Sequence, residues 1–224
     1  DLKDQYGDFI YYGIDVMEVA EDGRLMGFEE KPEQPKSENA SLGIYVISRT
    51  LLINLLEQAI PEGKYDLVKD IIIRFIPTLK IYGYEYNGYW NSVGAGTAAY
   101  FAANMDFLNK EVRDHFVNEY PYIATKPKDE PPAKFNRGAD VKDAITGSGS
   151  IFDGTVEHCV VFRKVRVGAG AVVKNSILME GVQIGEGCVV ENAILDKDVV
   201  LSAGQKVIGA SVEEPAVLKK GTVL

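Results

Sequence analysis

Cysteine is nearly absent from this sequence: Cys159 and Cys188 are the only two among 224 residues. That excludes a disulfide framework and fits a reducing, cytoplasmic setting. Long apolar runs are missing too. A representative one, DIIIRFIP over 70–77, is far too short to span a bilayer. Basic charge is in the minority, with 24 Lys and Arg against 33 Asp and Glu and a formal net charge of -9. An acidic chain with no long basic run suits neither nucleic acid nor an anionic membrane surface. No Gly-rich phosphate loop precedes the first elements, and the chain opens on Asp1 rather than Met, without a signal-peptide pattern. Such a start reads as that of a processed, trimmed or partial polypeptide. The rest, 46% apolar and 25% charged, is an ordinary globular composition for one large domain or two modest ones.

What is present in strength is a repeat. Val156, Val173, Val190 and Val207 recur every 17 residues. Val167, Ile184, Leu201 and Leu218 form a second column at that spacing, Val165, Val182, Val199 and Ala216 a third, and Val161, Leu178, Leu195 and Val212 a fourth. Gly170, Gly187, Gly204 and Gly221 keep step, as do Asn175 and Asn192. The texture within each repeat is hexapeptide-like: VRVGAG, AVVKNSI, VQIGEG, VVENAI. Aliphatics every five or six positions suit a coil of three short flat strands, and Gly and Asn tolerate the positive φ of its corners. No coil is stable alone; stacking buries a continuous core. Residues 139–224 are therefore expected to form a left-handed parallel β-helix. A helical solenoid is excluded by the crowd of β-branched residues and Gly. Cys159 falls in a small-residue column with Ser176, Ala193 and Ala210, so it reads as packed, and His158 beside it as a turn residue.

The first half reads differently. From Phe9 to Glu29 a strand, an Asp22-Gly23 turn and a second strand make a hairpin. EKPEQPKSEN over 30–39 is a polar, Pro-containing loop, and SLGIYVIS over 41–48 an apolar strand. Helices are expected over 49–59 (RTLLINLLEQA), from an Asp66 cap through Phe75, and over 98–109. KIYGYEYNGYW over 80–90 alternates as a strand, with Tyr82, Tyr84 and Tyr86 on one face. KPKDEPP over 126–132 is a linker. Strands among helices point to an α/β layer, yet they are few. The nucleotide-binding half of such a domain is expected to lie outside this chain. Gly94-Ala95-Gly96 lacks the third glycine of a dinucleotide loop and reads as a tight turn into a helix.

Three features together resemble the ADP-glucose pyrophosphorylases (glucose-1-phosphate adenylyltransferases): FEEKP over 28–32 followed by ASLGIY over 40–45, GYWNSVG over 88–94, and EPPAKF over 130–135 ahead of the hexapeptide coils. The likeness runs from about Tyr12 onward. It implies a partial nucleotidyltransferase-type α/β domain with a mixed sheet over 1–110, a linker with a helix and a Pro-rich stretch over 111–138, and the β-helix over 139–224. It implies a glucose 1-phosphate pocket in which Lys31 binds the phosphate, Glu30 accepts sugar hydroxyls, and Ser41, Tyr45 and Trp90 complete the wall. An ammonium beside a phosphate dianion is a charge-assisted contact. Without the resemblance, Lys31 is a solvated loop lysine and Tyr45 a core strand residue.

One departure from the family pattern matters most. Catalytic members read W-x-D-V-G-T, with the Asp helping to hold Mg²⁺; here Trp90, Asn91, Ser92, Val93, Gly94 and Ala95 put a serine in its place. A neutral hydroxyl is a poor ligand for that hard cation. The variant resembles the GlgD-type, non-catalytic regulatory subunit, with no catalytic residue and no metal of its own in this chain. Its implied partners are a catalytic pyrophosphorylase subunit or further copies of itself, with glucose 1-phosphate as a ligand. Two alternatives stay open at this point. One is an active sugar-phosphate nucleotidyltransferase; the other is a hexapeptide acyltransferase with His158 as its base.

Overall fold

A computed structural model describes residues 15–118 and 128–224. It divides into two compact units, Asp1–Asn87 and Gly88–Leu224.

In the first unit, β1 (Val16–Val19) and β2 (Leu25–Glu29) form the expected antiparallel hairpin. Gly23 takes φ +81° at the turn, and the Asp22 side chain accepts from the Arg24 amide at 3.0 Å. The start of that hairpin, residues 9–14, lies outside the described residues. β3 (Asn39–Ala40) pairs with the other side of β1. Helix α1 (Arg49–Ala59) begins where the Ser48 hydroxyl accepts from the Leu51 amide. The next helix begins as expected on Asp66, whose side chain accepts from the amides of Val68 and Lys69. Its span Leu67–Ile73 is π-helical. Ile71 from this segment packs with Leu55 and Ala59, while Ile72 packs with Leu25 and Phe28. Adjacent residues thus bind the segment to the helix on one side and the sheet on the other.

Two expected strands are not strands. Residues 41–48 join no ladder beyond the Ser41 amide bond to the Asp15 carbonyl, and Gly43 bends the chain at φ +69°. Their alternation is real: Tyr45 and Ile47 pack inward, whereas Ile44 and Val46 are 80% and 101% exposed. Residues 80–90 have a single bridge, Arg24 to Tyr82, and Tyr82, Tyr84 and Tyr86 are all exposed. A period of two aims side chains, but a strand also needs a partner backbone. Beyond these isolated contacts, no described residue supplies one.

The second unit holds a parallel β-solenoid of the kind hexapeptide coils build. β4 (Lys134–Phe135) already pairs with β6 (Ile151–Phe152), so the first coil begins ahead of Ala139. Each full coil has three flat arms. In β9 (Val172–Leu178) and β11 (Val189–Leu195) a corner residue, Asn175 at φ +44° and Asn192 at +49°, separates two arms. β10 (Gln183–Ile184) supplies the third. Val156, Val173, Val190 and Val207 stand in one register and are all buried. Val167, Ile184 and Leu201 do the same.

The last members of the other columns are displaced. β14 (Ala216–Leu218) pairs with β11, Ala216 to Ala193 and Leu218 to Leu195. The step from Leu195 to Leu218 is therefore six residues longer than the repeat, taken up by a loop over 209–215. Leu218 joins Val161, Leu178 and Leu195 rather than Leu201. Ala216 joins Cys159, Ser176 and Ala193 in place of Ala210. Val212, 40% exposed, leaves the core. Gly221 takes the corner of Lys164, Gly181 and Asp198, all at positive φ, instead of that of Gly204. An insertion of one arm's length preserves the local hexapeptide pattern while moving every later residue to the preceding arm of the coil.

Gly209 opens this loop where no side chain fits: a Cβ there would lie 2.2 Å from the Asn192 carbonyl oxygen and 2.5 Å from the Ala216 nitrogen. Gly209→Ala is expected to displace the final coil at a cost of about 1–3 kcal/mol. Hydrogen exchange should then lose protection at Val217 and Leu218 while Val173 and Val190 keep theirs; full protection at Leu218 would refute the tight approach.

Helix α2 (Thr97–Met105) also belongs to this unit. Phe101 packs against Ile177 and Ile194, outward residues of one arm, so that side of the solenoid is covered from within. Helix α3 (Lys110–Val117) follows; residues 126 and 127 of the expected linker lie outside the described ones.

Candidate functional site

The loop after β2 is closed by charge. Lys36 Nζ sits 2.7 Å from Glu29 Oε1, and the Lys36 amide donates to Glu29 Oε2 at 3.4 Å. That hydrogen-bonded lysine holds the Glu29 carboxyl below the usual carboxylate range, and the carboxylate raises the Lys36 ammonium in return. Glu30 and Lys31 lie exposed on this loop. Lys31 has φ +46°, although a residue before proline prefers extended backbone. A left-handed non-glycine residue costs on the order of 1–3 kcal/mol and persists only where its surroundings fix it.

Ser41 is half-buried, and its hydroxyl accepts from the Gly43 amide at 3.3 Å. The Tyr45 ring packs against the cluster of Leu25, Phe28 and Ile72. Its hydroxyl oxygen is shielded from solvent and, among the described residues, has no hydrogen-bond partner; one Asp15 carboxyl oxygen, Oδ1, is in the same position. An unsatisfied buried group of this kind costs about 1–3 kcal/mol.

The turn carrying Trp90 and Ser92 lies in the second unit. Trp90, Asn91 and Ser92 are half-buried. The Tyr89 hydroxyl donates to Asp106 Oδ2 at 2.7 Å, and Asn91 Nδ2 donates to the same oxygen at 3.1 Å. Ser92 precedes a single 3-10 turn, Val93–Ala95, and its hydroxyl caps nothing there. Gly96 at φ +124° leads into α2, a conformation that L side chains rarely adopt. Asp106 was not legible in the sequence. It ends a helix of small and apolar residues, and its partners lie 15 and 17 positions upstream, a separation with no periodic signature.

His158 takes φ +52° at the solenoid corner later occupied by Asn175 and Asn192, with its Nδ1 2.5 Å from Asp143 Oδ2. It is a turn residue tied to the coil before it. Cys159 is fully buried, and burial pushes its thiol up to about 12; it has no thiolate to offer near neutrality. Among the described residues, no group of three or more His, Cys, Asp or Glu could hold a metal ion. No helix among them is long and apolar enough to cross a membrane.

Comparison with known proteins agrees with both halves. The Nucleotidyl transferase family model matches residues 8–110, and that of the GlmU-like, C-terminal hexapeptide matches residues 131–220. A glucose-1-phosphate adenylyltransferase of Clostridium perfringens is 37% identical over 167 residues, which is 72% of this chain and 42% of the relative. That of Geobacillus stearothermophilus is 37% identical over 71% of this chain and 42% of its own length. One of Thermomicrobium roseum is 39% identical over 61% of this chain and 32% of its own. By this likeness in sequence, the chain belongs to the glucose-1-phosphate adenylyltransferase family and spans about two fifths of the length of its first two relatives.

Proposed function

We propose that this chain forms the sugar-phosphate side and the scaffold of a regulatory, non-catalytic subunit of a cytoplasmic glucose-1-phosphate adenylyltransferase. It would work with a catalytic subunit, further copies of itself, or both, in making ADP-glucose for glycogen. The observation that carries the reading is Ser92, which stands where the family pattern has an aspartate. The residues present do not fit the Mg²⁺ of that pattern. Ser92 offers only a neutral hydroxyl, and the carboxylate nearest in the turn's bonding, Asp106, already accepts from Tyr89 and Asn91. The solenoid's rigid stack, with an arm already packed by α2, supports a scaffolding role.

Binding chemistry survives without that ligand. Lys31 supplies an exposed ammonium in a strained, charge-closed loop, Glu30 beside it can accept sugar hydroxyls, and Ser41 adds a hydroxyl. Titration calorimetry with glucose 1-phosphate is expected to give weak binding that Lys31→Ala abolishes. An unchanged affinity in that variant would remove Lys31 from the site.

The names of the relatives favour a second reading, an active adenylyltransferase. Pyrophosphate release by the full-length subunit, alone and mixed with a catalytic partner, separates the two.

A further inference from the structure

We infer that Asp106 is a positioning residue for the turn that carries Trp90 and Ser92, an inference that rests on reading this turn as part of a sugar-phosphate site. One oxygen, Asp106 Oδ2, accepts both the Tyr89 hydroxyl at 2.7 Å and the Asn91 amide at 3.1 Å. These donors are the residues immediately before and after Trp90. A single anchor therefore fixes the chain on both sides of the indole. Asn91 Nδ2 also reaches the Tyr89 hydroxyl oxygen at 3.4 Å, which closes a triangle of three side chains.

The anchor is itself well placed. Asp106 follows α2 directly and opens the 3-10 turn Asp106–Leu108. Phe101 fastens α2 to the solenoid through Ile177 and Ile194. The Tyr89 ring meets Phe107 and Phe116 edge-on, with centroids 6.4 and 5.6 Å away, which orients its hydroxyl. Residues 89–92 belong to no helix or strand. Bonds to a carboxylate, roughly twice as strong as neutral ones, take the place of a backbone ladder. The rigidity of the solenoid is thereby passed to Trp90 and Ser92.

Trp90 is the only tryptophan of the 224-residue chain, so its emission reads the turn directly. Asp106→Ala removes the shared acceptor. It is expected to shift Trp90 emission to the red and raise its quenching by acrylamide, with the solenoid melting transition in place. Asp106→Asn keeps an acceptor oxygen at the same reach and is expected to restore most of the wild-type spectrum. A wild-type spectrum in Asp106→Ala would overturn the inference. So would an asparagine variant as perturbed as the alanine one, or a red shift accompanied by loss of the solenoid transition. In a second arm, glucose 1-phosphate is titrated into both chains. It is expected to change the wild-type emission and to bind Asp106→Ala about tenfold more weakly, because the turn loses both bonds that hold Trp90 in place. Apo spectra as expected with a wild-type chain unresponsive to the sugar phosphate would sink the sugar-phosphate reading and leave the role of Asp106 standing.

Discussion

Val190→Asp is expected to abolish the cooperative melting of the solenoid or lower it severely. Val190 is completely buried, between Val173 of the preceding coil and Val207 of the next. A carboxylate there enters an apolar core, and an unpaired buried charge costs at least several kcal/mol even after relaxation. That is a large share of the roughly 5–15 kcal/mol by which native proteins are stable. The comparison is Lys174→Asp, one position from Val173 but on the outer side. Lys174 pairs with Glu157 at 2.7 Å, both side chains nearly half exposed, and Glu191 lies on the next coil in the same register. Its replacement loses an exposed ion pair and brings like charges together in solvent, a small effect beside that of a buried charge. Melting by circular dichroism separates the two. Equal midpoints would mean that inward and outward positions have been exchanged.

The other large effect concerns catalysis. The full-length form of this polypeptide is expected to release pyrophosphate at a negligible rate by itself. Hard divalent cations take anionic oxygen ligands, and a serine hydroxyl is a weak replacement for a carboxylate. Each 1.36 kcal/mol of lost transition-state stabilisation is about a factor of ten in rate, so a loss of roughly 4 kcal/mol is about a thousandfold. The same polypeptide is expected to alter the kinetics of a catalytic partner. A subunit can do so only by contacting one state of that partner better than another. Pyrophosphate release is measured for the subunit, the partner and their mixture across a range of ATP concentrations. Robust turnover by the isolated subunit overturns the non-catalytic reading. A mixture that behaves as the partner alone removes the regulatory one.

Much of the fold was legible because its causes are local. The Asp22-Gly23 turn, the Asp66 cap and α1 each depend on a few consecutive residues, and each stands where the sequence puts it. Inward columns such as Val156, Val173, Val190 and Val207 followed from a constant spacing. Residues 41–48 show the limit. Their alternation correctly separated Tyr45 and Ile47 from Ile44 and Val46, but pairing depends on a backbone elsewhere. Of the candidate site, the sequence singled out Lys31, Glu30, Ser41, Tyr45, Trp90 and Ser92 only through its resemblance to a family. It carried no sign of the strained backbone at Lys31, the Tyr45 hydroxyl without a partner among the described residues, or the Asp106 anchor.

By itself, then, the sequence determined that the last third is a stack of coils and which residues of the early coils face inward. These follow from period and residue chemistry, which act at short range. Only the tertiary structure decided which arm each residue of the last coil occupies. The loop over 209–215 adds one arm's length, so Leu218 and Ala216 remain in aliphatic columns but in different ones. It also decided that Asp106 holds the turn around Trp90. Both outcomes rest on hydrogen bonds between residues far apart in the chain, and such bonds are chosen by where the backbone is carried rather than by the residues beside them.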